Sequence, residues 1–258
     1  MQGFDTFGWQ HLLWLLVLAA AGAAALSCVP ARCRAPAAVL AVLGRVVPGV
    51  CALMDGSYGV ASLPLHVCSL AGYGCLAHFL LTKAAGTGEA AGDTDGKPAG
   101  KHAGKPAGKS AGGSTGKTAG KAAGILGELL YFPGLIGALM ALLFPGWGYL
   151  PPFSLLSCCE FLGHFGIVLY VLSGLRSGAI APSRMRIPVI FCILYALVML
   201  PFDRAAGMNY GFLLVPAPDS PLSAIASRAG GGTGYYAGYA GLVLFFMACF
   251  YLPFRKRR

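Results

Sequence analysis

Charge is what this sequence has least of. Nine Asp and Glu and nineteen Lys and Arg make up 11% of the 258 residues, whereas a soluble domain carries about 25%. A chain so poor in charge cannot cover a globular surface for water. Its 57% apolar content points to lipid as the main solvent. Trp is limited to three residues, and no basic-aromatic motif accompanies the formal net charge of +10. That argues against nucleic acid as a partner. CxxC pairs and zinc-type arrays are lacking too. The nine Cys are Cys28, Cys33, Cys51, Cys68, Cys75, Cys158, Cys159, Cys192 and Cys249. Most sit in apolar stretches, so we expect no disulfide framework, no metal and no cofactor. No base precedes the first apolar run, where Asp5 is the sole charge, and Ala25-Leu-Ser-Cys28 is a poor lipoprotein cleavage box. The run is therefore expected to be a retained first helix.

Apolar segments long enough to cross a bilayer, about 20 residues, recur along the chain. They cover 9–29, 37–54, 60–82, 125–144, 153–174, 187–202 and 235–254. The sixth is short and bounded by Pro188 and Pro201. Bases alternate between the connections: sixteen of the nineteen fall on one side, two on the other, and Arg45 lies within a span. Removing any one helix breaks this alternation. The positive-inside rule then predicts an all-α polytopic membrane helix bundle of about seven transmembrane helices. The N-terminus would lie outside and the C-terminus in the cytoplasm. Residues 1–258 would form a single membrane-embedded domain of a multi-pass cell-membrane protein, with membrane lipids as partners. Nothing in the sequence fixes an oligomeric state.

Residues 84–124 interrupt this pattern. Lys97-Pro-Ala-Gly, Lys101-His-Ala-Gly, Lys105-Pro-Ala-Gly and Lys109-Ser-Ala-Gly are successive four-residue repeats. Such a composition buries too little apolar area to order itself. We expect a disordered Lys/Ala/Gly-rich cytoplasmic linker inserted between helices three and four. Within it, Ala111-Gly-Gly-Ser-Thr-Gly-Lys117-Thr118 matches a relaxed phosphate-loop pattern. A real phosphate loop joins a strand to a helix. These flanks are low-complexity repeats, so no nucleotide is expected.

Ionisable groups at membrane depth are costly and are functional candidates by default. Here they are Arg45, His66, Cys68, His78, Glu128, Glu160 and His164. Helix three is expected to enter from outside, with Ser62 as cap and Pro64 in its first turn. That places Cys68 about one turn inside. Helix five enters from the same side, and Glu160 and His164 reach a similar outer-half layer. Ser157, Glu160 and His164 form one polar stripe at helical spacing. His66, two residues from Cys68, should point away from it on a regular helix. That leaves His164 as the base for Cys68, with Glu160 orienting the His. A Cys at a helix start beside a His has the ingredients of an activated thiolate. A self-satisfied Glu-His pair, or one paired with Arg45, remains open beside it. Gly134, Gly137, Ala138 and Ala141 suit close helix packing. Loop six carries Asn209-Tyr210-Gly211 and then Pro216, Pro218 and Pro221. It is either a lid over the outer mouth or a plain connector.

Five segments together resemble the YwaF-type family of conserved integral membrane proteins. They are Leu63-Pro-Leu-His66-Val-Cys68, Tyr131-Phe-Pro-Gly-Leu, Phe161-Leu-Gly-His164, Asn209-Tyr210-Gly211-Phe-Leu and Tyr251-Leu-Pro-Phe254. The resemblance runs from helix three onward, with the Lys-Ala-Gly linker as an insertion. The eukaryotic branch of that family resembles a transmembrane acyltransferase that remodels ether phospholipids. More distantly it is similar to androgen-induced-type membrane hydrolases of fatty-acid esters. The resemblance implies Cys68 and His164 as the reacting pair.

Two readings follow. In the first, the protein is a lipid acyltransferase or ester hydrolase. Cys68 is the nucleophile, His164 the base and Glu160 its orienter, and His66, Asn209, Tyr210, Ser157 and Arg45 contact substrate. In the second, Arg45, Glu160 and His164 form the polar site of a small-ligand transporter or receptor. No internal repeat between the two halves supports the second. A non-catalytic membrane scaffold is the remaining option.

Overall fold

The computed structural model describes residues 3–28, 30–86, 113–230 and 232–255. These form helices: α1 (Trp9–Cys28), α2 (Pro30–Met54), α3 (Val67–Ala84), α4 (Gly113–Leu129), α5 (Leu135–Leu143), α6 (Leu155–Arg176), α7 (Arg186–Ala206), α8 (Pro221–Ala229) and α9 (Gly232–Arg255). A π turn, Leu130–Gly134, fuses α4 and α5 into one rod. Pro133 lies in that turn. It has no N–H to donate, and its ring clashes with the carbonyl four residues back, so the helix widens there. Seven helical stretches among the described residues are long and apolar enough to cross a membrane. The fold is the expected all-helical, multi-pass bundle.

The centre of the bundle is the contact between α2 and α6. Ala37, Ala38, Ala41 and Gly44 of α2 are buried, as are Gly163 and Gly166 of α6. A Cβ on Gly166 would lie 2.6 Å from the Ala41 amide nitrogen, and one on Gly44 would lie 2.4 Å from the Gly163 Cα. The two backbones touch. Between helices in lipid there is no hydrophobic drive, so this close approach supplies the packing. Of the small residues expected to do so in and beside α5, Ala138 is fully buried, and a Cβ on Gly134 would lie 3.1 Å from the Ala71 Cβ, whereas one on Gly137 would meet nothing within 4 Å. At the periphery, α7 and α9 expose Ile190, Leu194, Val198 and Phe245, as lipid-facing helices do.

Three expected boundaries are corrected. The segment before α3 is a 3-10 turn, Val60–Ser62, and α3 starts only at Val67 with His66 as its N-cap residue. Ser62 and Pro64 therefore precede the helix instead of capping it. The second helix begins at Pro30, which brings Arg34 out of the expected loop and into the bundle. There Arg34 is 5% exposed and donates from Nη2 to Thr82 Oγ1 at 3.0 Å. The fourth rod reaches back to Gly113, so residues 113–124 of the expected linker are helical. Lys117 and Thr118 of the phosphate-loop-like stretch lie in this helix. Residues 87–112 of the linker lie outside the described residues.

Candidate functional site

One end of the bundle gathers the end of α2, the starts of α3 and α6, the end of α5 and the connection after α7. A cavity of about 410 Å³ opens there. Arg45, His66, Cys68, Glu160, His164, Asn209 and Tyr210 all line it, together with Trp147, Met208 and Phe212. Of the eight residues singled out from sequence, only Ser157 is not among the lining side chains. It is fully buried, and its Oγ has no hydrogen-bond partner among the described residues. The bases Lys83, Arg176 and Arg186 sit at the opposite ends of their helices.

Glu160 and His164 lie five and nine residues into α6, roughly 8 and 14 Å along the helix axis at 1.5 Å per residue. Ser154 starts this helix by accepting from the Ser157 N–H. His164 is 1% exposed, and its ring stacks on Trp147 with centroids 5.0 Å apart. Its Nδ1 is 2.7 Å from the Glu160 main-chain oxygen. A carbonyl only accepts, so this contact, shorter than the 3.3 Å approach of Arg45 Nη2 to the same nitrogen, assigns the proton to Nδ1. Nε2 then keeps a lone pair, and it is buried without a partner among the described residues. The backbone oxygen of Glu160, not its carboxylate, thus makes the shorter contact with the ring. The carboxylate pairs instead with Arg45, Nη2 to Oε2 at 2.9 Å, and stands 3.7 Å from His164 Nδ1. Arg45 is the partner that sequence left open.

His66 departs from expectation for a plain reason. It is extended (φ −61°, ψ 143°) rather than helical, so the helical argument that turned it away from Cys68 does not apply. It shares the cavity with Cys68, and its Nδ1 accepts the Gly211 N–H at 3.3 Å.

The connection after α7 closes the cavity. Gly207 ends α7 in the left-handed region, φ 66°, the usual place for Gly. The Asn209 amide is consumed within the loop: Oδ1 accepts from Leu214 and Val215, and Nδ2 donates to the Val215 carbonyl. The Tyr210 hydroxyl donates to the Val60 carbonyl. Both residues line the cavity, but their polar groups serve to hold the loop. Gly211 is also left-handed (φ 66°), and a Cβ there would lie 3.1 Å from the Tyr195 ring. The loop is a built wall and not a plain connector.

Burial first, and the Arg45 guanidinium second, hold the His66 imidazole below its ordinary value of 6.5, with Asp203 opposing them. The sign follows from where protons bind. As pH falls through about 6.5 the unfolded chain protonates this His while the folded chain does not. The unfolded state then holds more protons, so this contribution is complete above 6.5 and is lost as pH falls. Protonation at Nδ1 also removes the acceptor for Gly211. Hydrogen exchange at the Gly211 amide is expected to rise, relative to its intrinsic rate, as pH drops below the ordinary imidazole value of 6.5. His66→Asn should flatten that dependence, whereas an unchanged profile would show that another group sets it.

Trp147 carried no sequence signal, since an aromatic in a connecting loop has many uses. A second buried cluster, Arg34, Thr82, His78 and Tyr170, sits at the far ends of α3 and α6. His78 Nδ1 and the Tyr170 hydroxyl are 2.7 Å apart there. Glu128, one of the ionisable groups read at membrane depth, is 2% exposed and accepts from Ser183 and Arg184.

In comparisons with known proteins, the model of the TMEM164 family matches residues 6–252. No curated protein and no solved structure matches.

Proposed function

Because this chain belongs to the TMEM164 family, a family of transmembrane proteins, we propose that the cavity is the active site of a lipid acyltransferase or ester hydrolase. The observation that carries this reading is one cavity lined by both Cys68 and a His164 whose Nδ1 is tied down and whose Nε2 is left free. Nucleophile, base and base-orienting acceptor are the parts an activated thiol needs. In the first step Cys68 Sγ attacks the ester carbonyl and its proton passes to His164 Nε2. The C–O bond then breaks, the leaving alcohol takes that proton, and a thioester remains on Cys68. A lysophospholipid hydroxyl or water attacks the thioester, giving its proton to His164, which returns it to the departing thiolate. The Arg45–Glu160 pair sets the charge at the cavity wall. The base distribution would place this face outside the cell membrane.

An ester-directed acyl probe applied to the purified full chain tests the reading. Wild type should gain an acyl mass on Cys68, and Cys68→Ala should lose all labelling. Equal labelling of the two proteins overturns the proposal. A second reading, a small-ligand transporter or receptor, draws on the same buried Arg45–Glu160 pair. Under it, ligand response would fail in Glu160→Gln and ignore Cys68→Ala.

A further inference from the structure

A second hollow lies beside the first and is of opposite character. It measures about 690 Å³ and runs between α7 and α9. Its α7 wall spans residues 189–201 and its α9 wall residues 236–247. At 1.5 Å per residue these walls are roughly 18 and 16 Å long. One leaflet's hydrocarbon is about 15 Å deep, half of a ~30 Å core. The groove therefore has the length of a single lipid tail. Except for the tyrosines Tyr195, Tyr236 and Tyr239, its lining is aliphatic, with one thiol, one thioether and one proline.

The two hollows share one partition. Val67 faces the groove and Cys68 the cavity; Leu213 faces the groove and Phe212 the cavity. Two groove tyrosines hold that partition by main-chain carbonyls. Tyr195 donates to the Leu65 oxygen at 2.9 Å, and Tyr239 donates to the Gly211 oxygen at 2.9 Å. Their hydroxyls are thus satisfied at the polar end, and their rings are left to the groove. A buried Tyr with its hydroxyl anchored presents an apolar wall. One consecutive residue pair on α3 and another on the loop thus divide a polar chamber from an apolar slot.

We propose that the groove between α7 and α9 is the slot for one hydrocarbon tail of the lipid whose ester end occupies the cavity. The inference rests on the lipid-directed reading of the site and deepens it: the substrate is a long-chain fatty-acyl ester that enters sideways from the bilayer. The groove sets which chain lengths fit, with the tail running along α7 toward Val189 and the carbonyl held at the Val67–Cys68 partition. Short or water-soluble esters would fill the cavity and leave the slot empty.

The test uses the full chain in phospholipid vesicles doped with a phosphatidylcholine that carries a diazirine in one ester-linked tail. After irradiation, adducts should concentrate on the segments 189–201 and 236–247. Ala240→Trp, which fills the slot, should lower them about tenfold, the effect of ~1.4 kcal/mol on occupancy. Leu194→Trp, on an exposed position of α7 outside the slot, should leave them unchanged. Adducts spread as heavily over the exposed Leu12 and Leu16 of α1, or indifferent to Ala240→Trp, overturn the slot. Acyl mass on Cys68 is read from the same sample. Cys68 labelling without slot adducts overturns this inference and leaves the nucleophile. Slot adducts without Cys68 labelling uphold the tail site and overturn the catalytic reading.

Discussion

His164→Phe is expected to slow acyl transfer by roughly 10²–10⁴-fold while the bundle stays assembled. The two effects differ because the ring and its nitrogens do different things. Phe keeps the flat ring that stacks on Trp147, 5.0 Å away and 14° from parallel. It loses the contact from Nδ1 to the Glu160 main-chain oxygen at 2.7 Å, and with it the 3.3 Å approach of Arg45 Nη2 to the same nitrogen. A neutral hydrogen bond is worth about 0.5–1.5 kcal/mol net, and that oxygen sits one helical turn before His164. Loss of a general base, at 1.36 kcal/mol per factor of ten, is roughly 2.7–5.4 kcal/mol on the barrier. Catalysis should therefore fall well beyond what the stability change explains. Glu160→Gln is the contrast. It leaves the Arg45 guanidinium, 8% exposed, without its countercharge, even where the amide oxygen still accepts a hydrogen bond. Breaking a buried pair costs about 3–5 kcal/mol, and the 22% exposure of Glu160 puts this one toward the low end. That variant should lose stability as well as rate. Initial rates with an ester phospholipid in vesicles, beside melting curves of the same samples, separate the two. If His164→Phe melts early but turns over at the wild-type rate, His164 is only packing.

The seven crossings were readable because they depend on one summed property, apolar length, and on where bases fall between runs. The pairing of α3 and α6 at the cavity was readable for a related reason. Counting residues from a helix start gives depth, although Cys68 is the second residue of α3 while His164 lies nine residues into α6. The count fails where the chain is not helical. His66 was turned away from Cys68 by helical spacing, yet it lies in the extended residue before α3 and faces the same space. Arg34 was placed in a loop because a base there fits the charge rule. The helix in fact begins earlier, at Pro30, a residue suited to a first turn. The roles of Asn209 and Tyr210 were not readable at all. Whether an amide faces a substrate or folds back on its own loop depends on the left-handed turns at Gly207 and Gly211. No periodicity reports such turns. The slot between α7 and α9 was equally invisible, since a lipid-facing helix and a groove-lining helix have the same composition.

Gly166→Ala is expected to destabilise the protein by about 1–3 kcal/mol, the cost of overpacking, although helix propensity alone argues the reverse. Exchanging Gly for Ala inside a helix gains about 1 kcal/mol when nothing is in the way. At Gly166 the new Cβ would stand 2.6 Å from the Ala41 nitrogen, 2.9 Å from the Ala37 oxygen and 3.0 Å from the Ala41 Cα. All three are backbone atoms, so no side chain can swing aside; α2 and α6 must move apart. The movement would reach the site, because the same face of α2 carries Gly44 and then Arg45. A Cβ on neighbouring Gly163 would lie 3.0 Å from Arg45 Nη2. The Arg45–Glu160 pair spans these two helices, so separation stretches it and loosens His164 with it. Gly166→Leu adds bulk beyond the Cβ and should yield no monodisperse protein. Gly137→Ala is the control. Its Cβ meets nothing within 4 Å, so propensity should prevail and stability should rise by up to about 1 kcal/mol. Unfolding titrations of wild type, Gly166→Ala and Gly137→Ala in one detergent decide the matter. If Gly166→Ala and Gly137→Ala stabilise alike, the α2–α6 backbone contact does not hold the bundle together, and the cavity built on it loses its foundation.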